Sequence, residues 1–394
     1  MSFRLDTSAG IASVALSMSL SLFAATTAVA QPEVGGPPVH PISRVDPRVY
    51  ETTLTADIFT EKRELTERDP LLADQSELVV PIIMQGAFSR TYPDSIVVAG
   101  QINGQFHEAG TVPWTLRGPH PDGTAEIVIE FADLRARTLG VRVTWREQSW
   151  LAVVDEAAAM QVTWPVEWPE TVRPFLAPQP WIQSKAEIIT NFVQRTTQGN
   201  LRRVTPYSAA KELTRQTIAL FTSISGTGNE RRNLGQITGL QLTGAEEAME
   251  LGRGSPNDLV CCCVAVLKAA GIPARPVVGV AKEFTKEMKQ VTQWRVWGEF
   301  YLPGSGWIPF DPNMMRGSGI DNRSLDAAWR GFANVKELDE RIPVAYRFQP
   351  KGSHWDEWPP VWGWFYGGNL QRVLRIYPQT SLMRISRGKG EPDP

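Results

Sequence analysis

Residues 254–275, GSPNDLVCCCVAVLKAAGIPAR, carry the firmest structural instruction in the chain. Ser255 is a good helix N-cap, because its hydroxyl can accept from an otherwise orphaned backbone N–H. Pro256 suits the first helical position, where no N–H is needed. Asp258 stands three residues after the cap and can reach back to the cap's own N–H, while its charge favours the positive helix end. Gly271 fits the left-handed residue that ends a helix, and Pro273 blocks continuation. The spacing predicts a helix over 256–270, with Val260, Cys263, Val264, Leu267 and Ala270 on one apolar stripe.

The surroundings of this helix divide the chain. From 51 to about 164 the pattern is that of strands: Glu77–Met84, Ser95–Ile102, Ala125–Phe131, Leu139–Trp145 and Met160–Trp164 are short, rich in β-branched residues and separated by turn signals. Val141, Val143 and Trp145 alternate with Arg142 and Thr144, as in a sheet with one wet face. These runs predict a β-sandwich over 51–165. Trp164-Pro165 and Trp168-Pro169 then mark an extended connection. Apolar residues at helical spacing follow over Ala186–Gln198, Ser208–Ser223 and Thr243–Leu251. After Gly271 the strands Ala274–Val280, Gln293–Leu302 and Gly306–Asp311 are expected. Helices first and strands second predict an α+β core over 166–315, with 316–394 as an extension packed on it.

Composition removes several functional classes. Lysine and arginine number 40 against 42 aspartates and glutamates, a net charge of −2 that lacks the basic footprint of a nucleic-acid binder. The three cysteines are adjacent, so they form no disulfide framework. His40, His107, His120 and His354 are too far apart in sequence for a local zinc motif, and no cofactor motif occurs. Residues 1–30 read as a signal peptide: Arg4 supplies the positive start, Ile11–Ala24 the apolar run, and Ala28-Val29-Ala30 the cleavage pattern. The expected mature chain starts at Gln31, with a proline-rich linker over 31–50, no later membrane span, and a place in the periplasm or outside the cell.

Two longer stretches resemble the core of the transglutaminase-like superfamily. One is Gly254–Asp258 with Leu267–Arg275. The other is Arg295–Pro312, RVWGEFYLPGSGWIPFDP. The lead-in Phe175–Pro180 is similar too, and Arg341–Tyr346 with Trp362-Gly363-Trp364 resembles the tail of some bacterial members. The resemblance implies a papain-like fold. It also implies a catalytic arrangement in which a cysteine opens the helix, a histidine on a neighbouring strand takes its proton, and an aspartate orients the histidine.

Aligned on those motifs, the cysteine position falls on Pro256, the histidine position on Arg295 and the aspartate position on Asp311. Proline has no nucleophile, and arginine stays protonated and cannot act as a general base. Cys261, Cys262 and Cys263 lie roughly 7–10 Å further along the helix axis and read as small core hydrophobes. Ser255, Asp258, Trp297 and Glu299 are the remaining cleft candidates. An ion pair between Arg295 and Asp311 is expected, a guanidinium replacing the imidazolium. The expected function is therefore non-catalytic: binding or scaffolding an extracytoplasmic protein or envelope polymer. The alternatives are an active thiol acyl-transfer enzyme or cysteine peptidase with relocated groups, and carbohydrate binding through Trp355, Trp358, Trp362 and Trp364.

Overall fold

The computed structural model describes residues 40–60, 71–103, 105–136, 138–231, 237–284, 290–333, 341–348, 362–367 and 376–387. The expected signal peptide, residues 285–289, His354, Trp355 and Trp358 lie outside these residues.

The N-terminal half holds β1 (Ile42–Thr60), β2 (Leu71–Ile82), β3 (Ser89–Thr91), β4 (Val97–Ile102), β5 (Gln105–Phe106), β6 (Trp114–Arg117), β7 (Ala125–Ala136) and β8 (Thr138–Val154), then a one-turn helix α1 (Glu156–Ala159). In β8 the alternation read from the sequence holds: Val141, Val143 and Trp145 are buried, whereas Arg142 is exposed. In β1, Tyr50, Thr52, Leu54 and Ala56 point inward with the same period of two. Residues 42–50, expected in a linker, are thus strand. Met160–Trp164, expected as a strand, is a turn and an irregular segment. Asp155 starts a helical turn just before it, its carboxylate accepting from Ala158 N at 3.0 Å.

The second half follows the expected order: α2 (Glu187–Thr197), α3 (Pro206–Leu220), the short strands β9 (Ser223–Ile224), β10 (Asn229–Arg231) and β11 (Ile237–Leu240), α4 (Ala245–Leu251), β12 (Arg253–Gly254) and α5 (Pro256–Ala269). Then come β13 (Ala274–Phe284), β14 (Gln290–Leu302), β15 (Gly306–Phe310), α6 (Pro312–Gly317) and β16 (Arg341–Ala345). The core sheet has the order β15-β14-β13-β16, all antiparallel. The last strands are β17 (Gly363–Gly367) and β18 (Ile376–Arg387).

Those last strands leave the core. β17 joins the sheet β17-β2-β7-β6, and β18 joins β18-β1-β8-β4-β5, with β3 also on β8. Among the described residues of the extension, β16 is the strand that adds to the core sheet. Long strands such as β1 and β2 present unpaired backbone groups along any open edge, and pairing with the tail satisfies them. The two N-terminal sheets and the core contribute to one continuous apolar cluster. Polar ties add to it: Tyr346 N donates to Thr124 Oγ1 at 3.0 Å, and Arg347 pairs with Glu126 at 2.6 Å and with Asp122 at 3.3 Å. Lys211 of α3 pairs with Glu156 of α1 at 3.0 Å and donates to the Ala327 carbonyl at 2.7 Å.

Helix α5 lies at the centre. Instead of one apolar stripe, every residue from Asn257 to Lys268 is buried, because α2, α3, α4 and α6 surround it on the sides that β13 and β14 leave open. Gly271 ends it at φ 77°, as the sequence requires, and Ile272 N donates back to Leu267 O at 2.9 Å. Lys268 donates to the Ala177 carbonyl at 2.8 Å, and burial pulls its pKa down to about 7.

Two buried groups bend the stability profile in opposite directions. The folded Lys268 titrates below its ordinary 10.5, so its burial penalty is full below pH 7 and fades as pH rises towards 10.5. Glu147 has its pKa raised from 4.5 to about 8 by burial, so its share of stability falls as pH rises through that window. Urea denaturation at successive pH values should show Lys268→Met gaining most over the parent at pH 6 and least at pH 10. Glu147→Gln should gain nothing at pH 4 and increasingly above it.

Candidate functional site

The N-terminus of α5 is built as its sequence demands. Ser255 Oγ accepts from Asp258 N at 3.1 Å, and Asp258 Oδ2 accepts from Ser255 N at 2.9 Å, a reciprocal capping box. Both candidates are occupied further. Asp258 Oδ1 accepts from Thr243 N and Gly244 N at 2.8 and 3.0 Å, and Ser255 Oγ donates to the Gln241 carbonyl at 2.7 Å. These two residues hold the backbone in place and do not face the cavity described next.

A cavity of about 240 Å³ opens beside this helix end, lined by Pro256, Asn257, Arg295, Asp311, Met314 and Arg341, among others. The three positions singled out by the triad spacing, Pro256, Arg295 and Asp311, thus meet at one site. Asn313 closes a side of it by donating from its amide to the Pro256 carbonyl at 3.0 Å.

The expected ion pair between Arg295 and Asp311 does not form. Asp311 Oδ2 instead pairs with Arg341 Nη2 at 2.7 Å, and both side chains are more than nine-tenths buried. Asp311 Oδ1 caps α6, accepting from Asn313 N at 2.9 Å and Met314 N at 3.1 Å. Register explains the exchange. Arg295 lies opposite Gly279 on β13, and β15 ends at Phe310, which lies opposite Gly298. Asp311 is therefore displaced along the sheet from Arg295. Arg341 starts β16 on the far edge of the sheet, and its long side chain reaches back over it.

Trp297 supports that reach. The Arg341 guanidinium carbon lies 5.5 Å from the Trp297 ring centroid. The ring fits because Gly279 has no side chain: a Cβ there would stand 2.5 Å from the ring and 2.4 Å from the Ile342 carbonyl oxygen. Trp297 is therefore a buried support, not a cavity wall. Glu299, the other cleft candidate, belongs to a separate buried pair. Its Oε2 accepts from Arg275 Nε at 2.8 Å and lies 2.7 Å from Nη2 in an ion pair, while the guanidinium lies 4.0 Å from the Trp307 centroid and 3.4 Å from that of Tyr346.

Arg341 is the site residue that sequence reasoning missed as a functional group. No local pattern marks it, since its role depends on β16 pairing with β13 after a long connection. The cysteines are all fully buried, and burial pushes their thiols well above the ordinary range, with Asp258 adding to the effect at Cys261. No cysteine or histidine lines the cavity among the described residues. Trp362 is buried in the main apolar cluster and presents no stacking face for a sugar.

The two kinds of polar lock differ in their expected cost. Ser255→Ala should lower stability by about 0.5–2 kcal/mol through loss of the cap. Asp311→Ala should lower it by about 3–5 kcal/mol, because a buried guanidinium loses its counter-ion. Urea denaturation of both variants at pH 7 checks the ranking.

Comparison with known proteins places this geometry. Residues 203–312 match the model of the transglutaminase-like superfamily. A protein of Haemophilus influenzae described as uncharacterized is 27% identical over 151 residues, covering 34% of this chain and 36% of the relative's length. This chain thus spans little more than a third of that relative. A crystal structure from Cytophaga hutchinsonii, provisionally described as a cysteine protease, aligns with a TM-score of 0.50 at 13% identity, covering 89% of this chain and 94% of that one. Red sea bream transglutaminase aligns at 0.27 with 10% identity over 66% of this chain and 54% of its own. No helix among the described residues is long and apolar enough to cross a membrane. The helix that opens at Pro256, the strand β14 that carries Arg295 and the α6 cap Asp311 all lie within the segment 203–312 that matches the transglutaminase-like model, in a chain of mixed α+β structure.

Proposed function

We propose that the protein is an exported, non-catalytic member of the transglutaminase-like group. Its altered cleft binds or scaffolds an extracytoplasmic protein or an envelope polymer. The observation that carries this reading is the state of Asp311: both carboxylate oxygens are engaged, one by Arg341 and one by the backbone of α6. A carboxylate so committed is not placed to orient a general base. Pro256 stands where the nucleophile would open α5, and it has no group to activate. The buried thiols of Cys261–Cys263 do not substitute, since nucleophilic attack needs an accessible thiolate. Export rests on the Ala28-Val29-Ala30 pattern at the chain's start.

Two measurements test the reading. The chain expressed with its N-terminal segment and recovered outside the cytoplasm should start at Gln31. In native alkylation from pH 5 to 9, Cys261, Cys262 and Cys263 should label only as fast as the protein unfolds, and glutaminyl peptides offered with an amine should release no ammonia. Fast labelling of one cysteine at pH 6 together with ammonia release would mean an active thiol enzyme.

A further inference from the structure

We propose that the cavity beside Arg341 is a carboxylate-binding site, and that the ligand it takes is a peptide bearing a free carboxylate. The inference deepens the reading given above and rests on the cleft being a binding site.

A guanidinium carries five N–H donors in a rigid planar fork. In this protein Nη2 serves Asp311 at 2.7 Å and touches the Met314 sulfur at 3.2 Å. Nε and Nη1 are buried and have no hydrogen-bond partner. Buried polar groups are almost always satisfied, and a charged one without acceptors on two of its three nitrogens is an unusual state for a folded interior. The side chain is 8% exposed, so bulk water does not compensate. Its own fold offers little: Asp311 has one oxygen on Nη2 and the other on the α6 backbone.

Arg341 forms part of the wall of the 240 Å³ cavity, and Arg295 forms another part. Among the described residues, the ionisable side chains of that wall are these two arginines and Asp311. A carboxylate is the acceptor that matches a guanidinium fork in shape and charge. Asp311 narrows the choice further. It is fixed at the same guanidinium, so a dianionic phosphate entering beside it would meet more repulsion than a singly charged carboxylate. Size points the same way, since sites for whole drug-sized ligands run to about 300–1,000 Å³, and this one is smaller. It suits the terminal group or one side chain of a chain that continues outside.

Calorimetric titration of the full chain tests this with two peptide pairs. One pair is Ala-Ala-Ala with a free carboxyl terminus against its C-terminal amide. The other is acetyl-Ala-Glu-Ala-amide against its Gln counterpart. The expected result is that the carboxylate member of at least one pair binds at least 10-fold more tightly than its neutral partner, and which pair does so identifies a terminal or a side-chain carboxylate. Arg341→Lys keeps a cation for Asp311 but removes the planar fork, and should weaken that binding at least 10-fold. Arg295→Gln leaves the Asp311–Arg341 pair intact and should weaken it several-fold, so the test survives if the lysine variant does not fold. Equal binding within both pairs, tighter binding of inorganic phosphate than of either carboxylate, or unchanged affinity in a folded Arg341→Lys variant would overturn the inference. Ammonia release from glutaminyl peptides is scored separately. A chain that neither reacts nor binds overturns the carboxylate site and leaves the non-catalytic reading standing, whereas one that reacts overturns that reading.

Discussion

Asp258 holds together the region on which the rest of the structure is assembled. Its two oxygens accept from three backbone N–H groups, those of Ser255, Thr243 and Gly244, so one buried carboxylate fixes both the start of α5 and the approach to α4. Helix starts leave such donors unsatisfied, and a buried start needs them matched inside the protein. With its start fixed, α5 can be apolar all round. It serves as the axis on which the other helices and the core sheet pack, in the manner of a fully enclosed helix. Cys261, Cys262 and Cys263 are part of that axis and pack there as small buried side chains.

The site beside this helix shows how a buried carboxylate is balanced by a cation from a distant strand. Asp311 keeps a cationic partner, but the partner comes from β16 and not from β14. A buried carboxylate without a counter-charge is costly, so retaining Asp311 requires a cation from somewhere within reach. Gly279, Trp297 and Arg341 form a stack that provides one: the absent side chain admits the ring, and the ring supports the guanidinium. The second buried pair, Arg275–Glu299, lies further along the same strands and is caged by Trp307 and Tyr346. Through Tyr346 and Arg347 the core sheet then engages β7 of the N-terminal half. The two halves are therefore tied by directional polar contacts as well as by the shared apolar cluster.

The chain alone determined what depends on neighbours a few residues apart. The cap at Ser255, the left-handed stop at Gly271, the alternation in β8 and the helix-then-strand order of the core were all legible, because capping, φ restriction and periodicity act within a turn or two of chain. The resemblance to the transglutaminase-like core also implied that Pro256, Arg295 and Asp311 are neighbours, and they line one cavity. What the tertiary structure decided was pairing at a distance. It gave Asp311 to Arg341, placed β17 and β18 in the N-terminal sheets, and turned a one-faced helix into a fully buried one. Each of these outcomes depends on which strand lies beside which after long connections. A salt bridge 30 residues apart in sequence leaves no periodic trace that could announce it.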